Sequence, residues 1–213
     1  MKFQIIPVTS FQQNCTLMWC EKTNKAAVAD PGGDIQRIQA AIDKLGLTLE
    51  KVLVTHGHLD HCGGAKALAG QNNAQIEGPN EADDWLLEKL ATDQTRMWGL
   101  PAGEPFTPDR WLKQGDTVTV GEETLQVFDC PGHSPGHVAF FHAASKVAIS
   151  GDVLFAGSVG RTDLPKGDFN ALAKSIRENL YTLGDDVQFI PGHGPTSTIG
   201  HERRSNAYVK DKK

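Results

Sequence analysis

Six consecutive residues, His56-Gly57-His58-Leu59-Asp60-His61, carry three imidazoles and a carboxylate. Neutral imidazole and carboxylate are ligands that suit zinc, iron or manganese. An extended or tightly turned backbone can aim alternate residues, here His56 and His58, at one ion. It can then turn Asp60 and His61 toward a second position. Exposed histidines on a polar loop are the bland alternative, and they leave that density unexplained. The segment predicts metal binding.

Such a site needs elements that deliver it. The apolar run Val52-Leu53-Val54 directly before the segment reads as a buried strand. Three other places repeat the pattern of a strand end followed by a glycine-containing loop. Val127-Phe128-Asp129-Cys130-Pro131-Gly132 leads to His133, Ala148-Ile149-Ser150-Gly151 to Asp152, and Phe189-Ile190-Pro191-Gly192 to His193. Glycine permits the turns that a crowded site requires. Each of these three residues alone is weak evidence. With residues 56–61 they give seven candidate ligands at strand ends.

Alternation and turn residues predict strands near 3–8, 14–20 and 26–29, the last closing at Asp30-Pro31-Gly32-Gly33. A helix follows, with Asp34 as N-cap and Ile35, Ile38, Ile42 and Leu45 at helical spacing. A strand at 51–54 and a short helix over Ala65–Ala69 come next, then a helix over 81–90 with Trp85, Leu86 and Leu90 facing inward. Pro101, Gly103, Pro105 and Pro108 break regular structure in 91–110, which reads as a lid, a substrate wall or a packed excursion. Strands return at 117–120, 124–129, 137–141 and 147–150. A helix at 169–183, a strand at 187–190 and a helix near 199–208 complete the order. Two sheets with helices outside each fit this sequence of elements, as one domain over 1–213.

Hydrophobic residues make up 39% and charged residues 22% of the 213, as in ordinary globular proteins. The net charge of −5 argues against a nucleic-acid partner. The Lys210, Lys212, Lys213 tail reads as solvated. The first residues lack a continuous apolar stretch of the export-signal kind, and no run of 18 apolar residues predicts a membrane span. Cys15, Cys20, Cys62 and Cys130 show no CxxC spacing, and free thiols in a cytoplasmic protein account for them.

The HxHxDH segment, followed by a single His, a single Asp and a last His, resembles the metallo-β-lactamase superfamily over residues 1 to about 208. That resemblance implies an α+β fold, a four-layer αβ/βα sandwich of two mixed sheets with the metal site at one edge. By it, one ion takes His56, His58 and His133, the other Asp60, His61 and His193, and Asp152 bridges them. Asp30 matches the position with which the family braces its ligand loop. Histidine rather than glutamate at position 58 separates the chain from the flavo-diiron oxygen reductases. Aspartate rather than cysteine at 152 separates it from the zinc enzymes that hydrolyse antibiotics.

Within the superfamily the chain is most similar to glyoxalase II-like hydrolases, in a small form without their C-terminal helical domain. Only 20 residues follow His193, and Gly194-Pro195-Thr196 stands where the family has a tyrosine. The resemblance implies two divalent ions, zinc first with iron or manganese also possible, and a glutathione thioester as the small-molecule partner. S-lactoylglutathione would give lactate and glutathione. Asp60 would orient the attacking hydroxide or take its proton. Arg161, in Gly160-Arg161-Thr162-Asp163, would contact a substrate carboxylate or form a structural ion pair. The same four residues also resemble persulfide dioxygenases, which hold one iron with the counterparts of His56, His133 and Asp152 and consume oxygen. A lactonase, a phosphodiesterase and a purely structural metal complete the alternatives, the last disfavoured because seven shared ligands leave coordination positions open.

Of the other candidates, His137 reads as a brace for His133 or as core, and His142 and His201 as surface residues. Cys62 reads as a small buried side chain. Trp98, Phe106 and Trp111 read as pocket lining or packing.

Overall fold

The computed structural model describes residues 1–92 and 99–211. Trp98 and the end of the basic tail, Lys212 and Lys213, lie outside the described residues, as does the 93–98 part of the expected irregular loop. The first sheet is built from β1 (Lys2–Val8), β2 (Gln13–Trp19), β3 (Lys25–Ala29), β4 (Thr48–Leu53) and β5 (Gln75–Glu77), in that spatial order. Strands β1 to β3 pair antiparallel, and β3, β4 and β5 run parallel. Parallel neighbours need crossovers. Helix α1 (Ile35–Lys44) supplies the first, and α2 (Leu59–Cys62) with α3 (Ala65–Asn72) the second.

A 3-10 turn (Glu81–Asp83) and α4 (Asp84–Leu87) lead to the second half. There β6 (Thr117–Val120), β7 (Glu123–Asp129), β8 (Val138–His142) and β9 (Val147–Gly151) form a meander, followed by a small hairpin of β10 (Leu154–Phe155) and β11 (Ser158–Val159). Helix α5 (Phe169–Ser175) continues into a π-helical turn (Ile176–Leu180). It returns the chain to β12 (Gln188–Pro191), which joins β9 in parallel, and β13 (Ser197–Thr198) and α6 (Ile199–Ser205) follow. The second sheet has the order β13-β12-β9-β8-β7-β6.

Three apolar clusters make the layers. Met18, Ala27 and Leu53 of the first sheet meet Val118, Leu125, Val127, Phe140 and Ile149 of the second. A second cluster joins α1 and α3 to the first sheet through Ile38, Ile42, Leu68, Val28 and Val52. A third joins α5 and the π-helical turn to the second sheet through Leu172, Ile176, Phe141, Ala148 and Phe189. This is the αβ/βα sandwich the sequence predicts. Phe140 has no exposed surface, so Phe140→Ala would cost about 3–5 kcal/mol.

The pairing directions decide where function can sit. β1, β3 and β4 point one way in the first sheet, and β7, β9 and β12 share a direction in the second. Every candidate ligand follows the C-terminal end of one of these strands, so one edge of the sandwich collects them all.

Several elements differ from expectation. The helix expected over 81–90 is the 3-10 turn plus the four residues of α4, with Leu86, Leu87 and Leu90 buried and Trp85 only partly so. The helix expected over 169–183 leaves regular α geometry after Ser175. Asp34 precedes α1 with a left-handed φ of 50°, and its side chain makes no capping bond; its carboxylate accepts the Thr9 N–H at 2.8 Å instead. His142 is buried, with Nε2 2.9 Å from Glu123 Oε2, whereas His201 is exposed as expected. Phe106 and Trp111 pack against the first-sheet cluster. All four cysteines are buried and none forms a disulfide.

Candidate metal centre

Val54 and Thr55 carry the chain from β4 to His56, and the turn of α2 brings Asp60 and His61 back toward it. The β7–β8 loop presents His133, the residue after β9 is Asp152, and the second residue after β12 is His193. Among the described residues three groups of donors result; Asp30, His56 and His61 form one that is taken up by hydrogen bonds through Thr55 and His61 Nδ1, and two further trios remain. His56, His58 and His133 form one, and Asp60, His61 and His193 the other, the donor atoms within each lying no more than 4.8 Å apart. Asp152 stands between them: Oδ1 is 3.3 Å from His61 Nε2, while Oδ2 is 3.6 Å from His133 Nε2 and 3.8 Å from His193 Nε2. His58 Nδ1 faces His133 Nε2 at 2.9 Å, and His193 Nε2 faces Asp60 Oδ2 at 3.1 Å. Two ligands of a tetrahedral zinc stand about 3.3 Å apart, and the observed separations straddle that value.

The hydrogen bonds fix which nitrogen four of the five rings offer. His133 Nδ1–H donates to the Arg161 carbonyl at 2.8 Å, and His193 Nδ1–H to the Phe11 carbonyl at 3.3 Å. Asp30 Oδ2 accepts from His61 Nδ1–H at 2.9 Å and from the Thr55 hydroxyl at 2.7 Å, while its Oδ1 accepts the Thr55 N–H at 2.8 Å. The hydroxyl has one proton and gives it to Asp30, so at 3.0 Å it must accept from His56 Nδ1–H. One carboxylate thus orients His56 and His61 together. Asp30 holds a left-handed φ of 53°, a conformation costly for a residue with a side chain and retained here by three bonds.

Because Nδ1 of each braced ring is engaged, Nε2 is the atom that a metal ion would meet. Among the described residues, His56 Nε2, His61 Nε2 and Asp152 Oδ1 are buried without a hydrogen-bond partner, an arrangement that costs stability unless a ligand occupies them. These orphaned donors fit a metal ion. A Cβ at residue 192 would lie 2.0 Å from Asp152 Oδ1 and 2.5 Å from His61 Cε1, so glycine there keeps the centre open.

The electrostatics are those of a mixed imidazole and carboxylate cluster. Burial and the neighbouring rings push His56 and His137 well below the usual histidine range, and His58 falls to about 3. Burial also works against protonated His61, yet Asp152 and Asp60 outweigh it and hold that ring well above its ordinary value. Burial favours the neutral acid in Asp152 and Asp60, but His61 and the other imidazoles overcome it and keep both carboxyls below their usual range.

All seven predicted ligands therefore converge on one place. Arg161 reaches it by its backbone carbonyl, while its guanidinium forms a bidentate pair with Asp163 at 2.7 and 2.8 Å. His137 does not brace His133. Its ring stacks on His56 at 4.6 Å, and its Nε2 accepts the Asp152 N–H at 3.0 Å. Thr55 and Asp83 were not predicted. Asp83 is fully buried and accepts from the loops of both sheets, and only its place between Asn80 and an apolar helix hinted at any special role.

The family model of the metallo-beta-lactamase superfamily matches residues 8–200. Hydroxyacylglutathione hydrolase GloC of Haemophilus influenzae is 46% identical over 213 residues, covering 100% of both chains. Among solved structures, BLEG-1 B3 metallo-beta-lactamase superposes with a TM-score of 0.91 at 33% identity, over 99% of this chain and 100% of that one. TTHA1623 in a di-iron-bound form superposes with a TM-score of 0.87 at 34% identity, over 97% of this chain and 100% of that one.

Proposed function

This chain belongs to the metallo-β-lactamase superfamily, and from that premise we propose that it hydrolyses a glutathione thioester, S-lactoylglutathione foremost, to the acid and glutathione. The observation that carries this reading is the Asp152 carboxylate lying between two complete donor trios. The full-length relationship to a hydroxyacylglutathione hydrolase supports it. His56, His58 and His133 would hold one divalent ion, Asp60, His61 and His193 the other, and Asp152 both. Zinc is the proposed metal. Iron and manganese suit the same donors, and a di-iron form exists for the similar TTHA1623.

When bound, such a pair of ions supplies hydroxide at neutral pH and positive charge for a developing oxyanion. The chain contributes the rest. Asp60 is ionised and 8% exposed, with Oδ2 held by His193, so it can orient the attacking water and accept its proton. The thiol leaving group has a pKa near 8.5 and departs as thiolate, so no residue has to serve as its acid. Arg161 is proposed to exchange its Asp163 partner for a glutathione carboxylate. A cytoplasmic location accompanies the proposal, consistent with four buried thiols and no disulfide.

The test is elemental analysis of the purified protein, joined to release of glutathione from S-lactoylglutathione with and without oxygen. Two ions per chain and oxygen-independent release are expected. One iron per chain with oxygen consumption on a persulfide would replace this reading with the dioxygenase. Turnover of a β-lactam in the absence of thioester cleavage would also overturn it.

A further inference from the structure

We propose that Asp83 is a positioning residue for the first trio alone, setting the spacing of His58 and His133 while other groups support Asp60, His61 and His193. The proposal rests on the reading that the two trios hold two ions. Asp83 closes the 3-10 turn Glu81–Asp83 and has 0% of its surface exposed. Its Oδ2 accepts the Gly57 N–H at 3.0 Å and the Ser134 hydroxyl at 2.7 Å, and its Oδ1 accepts the Gly136 N–H at 2.6 Å. Gly57 stands between His56 and His58, and Ser134 follows His133. A single carboxylate therefore ties together the two loops that supply all three imidazoles.

The backbone leaves this link no slack. The Asn80 N–H donates to the Gly136 carbonyl at 2.9 Å. A Cβ on Gly136 would come within 2.5 Å of the Asp83 nitrogen, and one on Gly57 within 2.6 Å of Leu86 Cβ. Among the described residues, the side-chain hydrogen bonds of Asp83 reach neither the 60–61 nor the 192–193 segment. The second trio has its own supports, the Phe11 carbonyl for His193 and Asp30 for His61. Asp30 differs from Asp83 because, through Thr55, it also orients His56 and so serves both trios. A buried carboxylate is costly to keep, and here two of its donors, Gly57 and Ser134, adjoin His56, His58 and His133, while Gly136 lies three residues beyond His133 on the same loop.

The experiment compares the full-length wild type with Asp83→Asn, Ser134→Ala, Asp30→Asn and His133→Ala. Each is loaded with zinc and stripped by graded chelator competition, with bound zinc read by elemental analysis and folding by circular dichroism. Asp83→Asn is expected to weaken one of the two zinc steps by roughly 10–100-fold, the usual effect of losing an outer support, and to leave the other within about 3-fold. Asp30→Asn should weaken both steps. Ser134→Ala should weaken the same step as Asp83→Asn by a smaller factor. Asp83→Asn added to His133→Ala should lose no further zinc.

A folded Asp83→Asn with both steps unchanged, or with both weakened alike, overturns the assignment. If Asp83→Asn fails to fold, Ser134→Ala decides by the same criterion, and unchanged steps overturn it. A wild type holding a single zinc overturns the two-ion reading instead. The role of Asp83 then fails if Asp83→Asn retains that ion.

Discussion

His137 Nε2 accepts the backbone N–H of Asp152 across 3.0 Å. The proton of this neutral ring is consequently on Nδ1, which is buried and has no hydrogen-bond partner among the described residues. The cost of that orphaned group indicates what the contact achieves: it holds the residue that separates the two trios. His137→Leu removes the acceptor and strands the Asp152 N–H, so a loss of about 1–3 kcal/mol is expected, together with weaker zinc retention. Thermal unfolding of the loaded and chelated proteins measures both, and equal melting temperatures for variant and wild type would discard this role.

Thr55 relays the orientation of Asp30 to His56. Thr55→Val keeps the shape and removes the relay, freeing His56 to rotate or change tautomer. Zinc affinity should fall roughly 10–100-fold, and Thr55→Ser should restore it. A chelator titration of the two variants separates them, and indistinguishable curves would refute the relay.

Glycine positions divide by their surroundings. A Cβ at Gly192 would overlap Asp152 Oδ1, so Gly192→Ala should bind substoichiometric metal even where it remains soluble. A Cβ at Gly70, inside α3, meets nothing within 4 Å. Gly70→Ala should therefore stabilise the protein by about 0.5–1 kcal/mol and leave activity unchanged. Denaturant midpoints and zinc content test the pair; full zinc occupancy in Gly192→Ala would contradict the steric argument.

The half-buried His58 ring gives the metal-free protein a pH signature. Its folded value near 3 lies below the ordinary 6.5, so the unfolded chain binds the proton first. Stability from this group is present above pH 6.5 and is lost as pH falls from 6.5 toward 3. The loss reaches on the order of 2 kcal/mol by pH 5. Chelated His58→Gln should show a shallower decline of melting temperature over that window, and a parallel decline would be the failing result.

Arg161 tests the proposed substrate without disturbing the centre, because its contribution to His133 comes from the backbone. Arg161→Ala should raise KM for S-lactoylglutathione several-fold with little change in kcat, and zinc content should be unaltered. An unchanged KM would leave the guanidinium as an exposed partner of Asp163 and nothing more.

The candidate ligands are legible in the sequence because metal-competent residues are dense at strand ends, and two periodicities locate strands and helices. The braces were harder to find. Asp83 joins partners 26, 51 and 53 residues away, so no local pattern marks it. Asp34 illustrates the converse. It occupies a typical N-cap position, yet Thr9 claims its carboxylate across 25 residues. In sequence His142 reads as a surface residue because its partner Glu123 lies on a different strand, β7, and only the sheet pairing brings them together. The short β5, β10, β11 and β13 offered too few residues for alternation to register.

Each trio draws two donors from the first sheet's loops, His56 with His58 or Asp60 with His61, and its third from the second sheet's, His133 or His193. An ion in either trio would accordingly act as a clasp across the seam of the sandwich. Because such a ligand binds only the closed form, free metal would tighten the protein by RT ln(1 + [M]/Kd). Starving the protein of metal would loosen that seam at the ligand-bearing edge first and leave the interior between the sheets to open last.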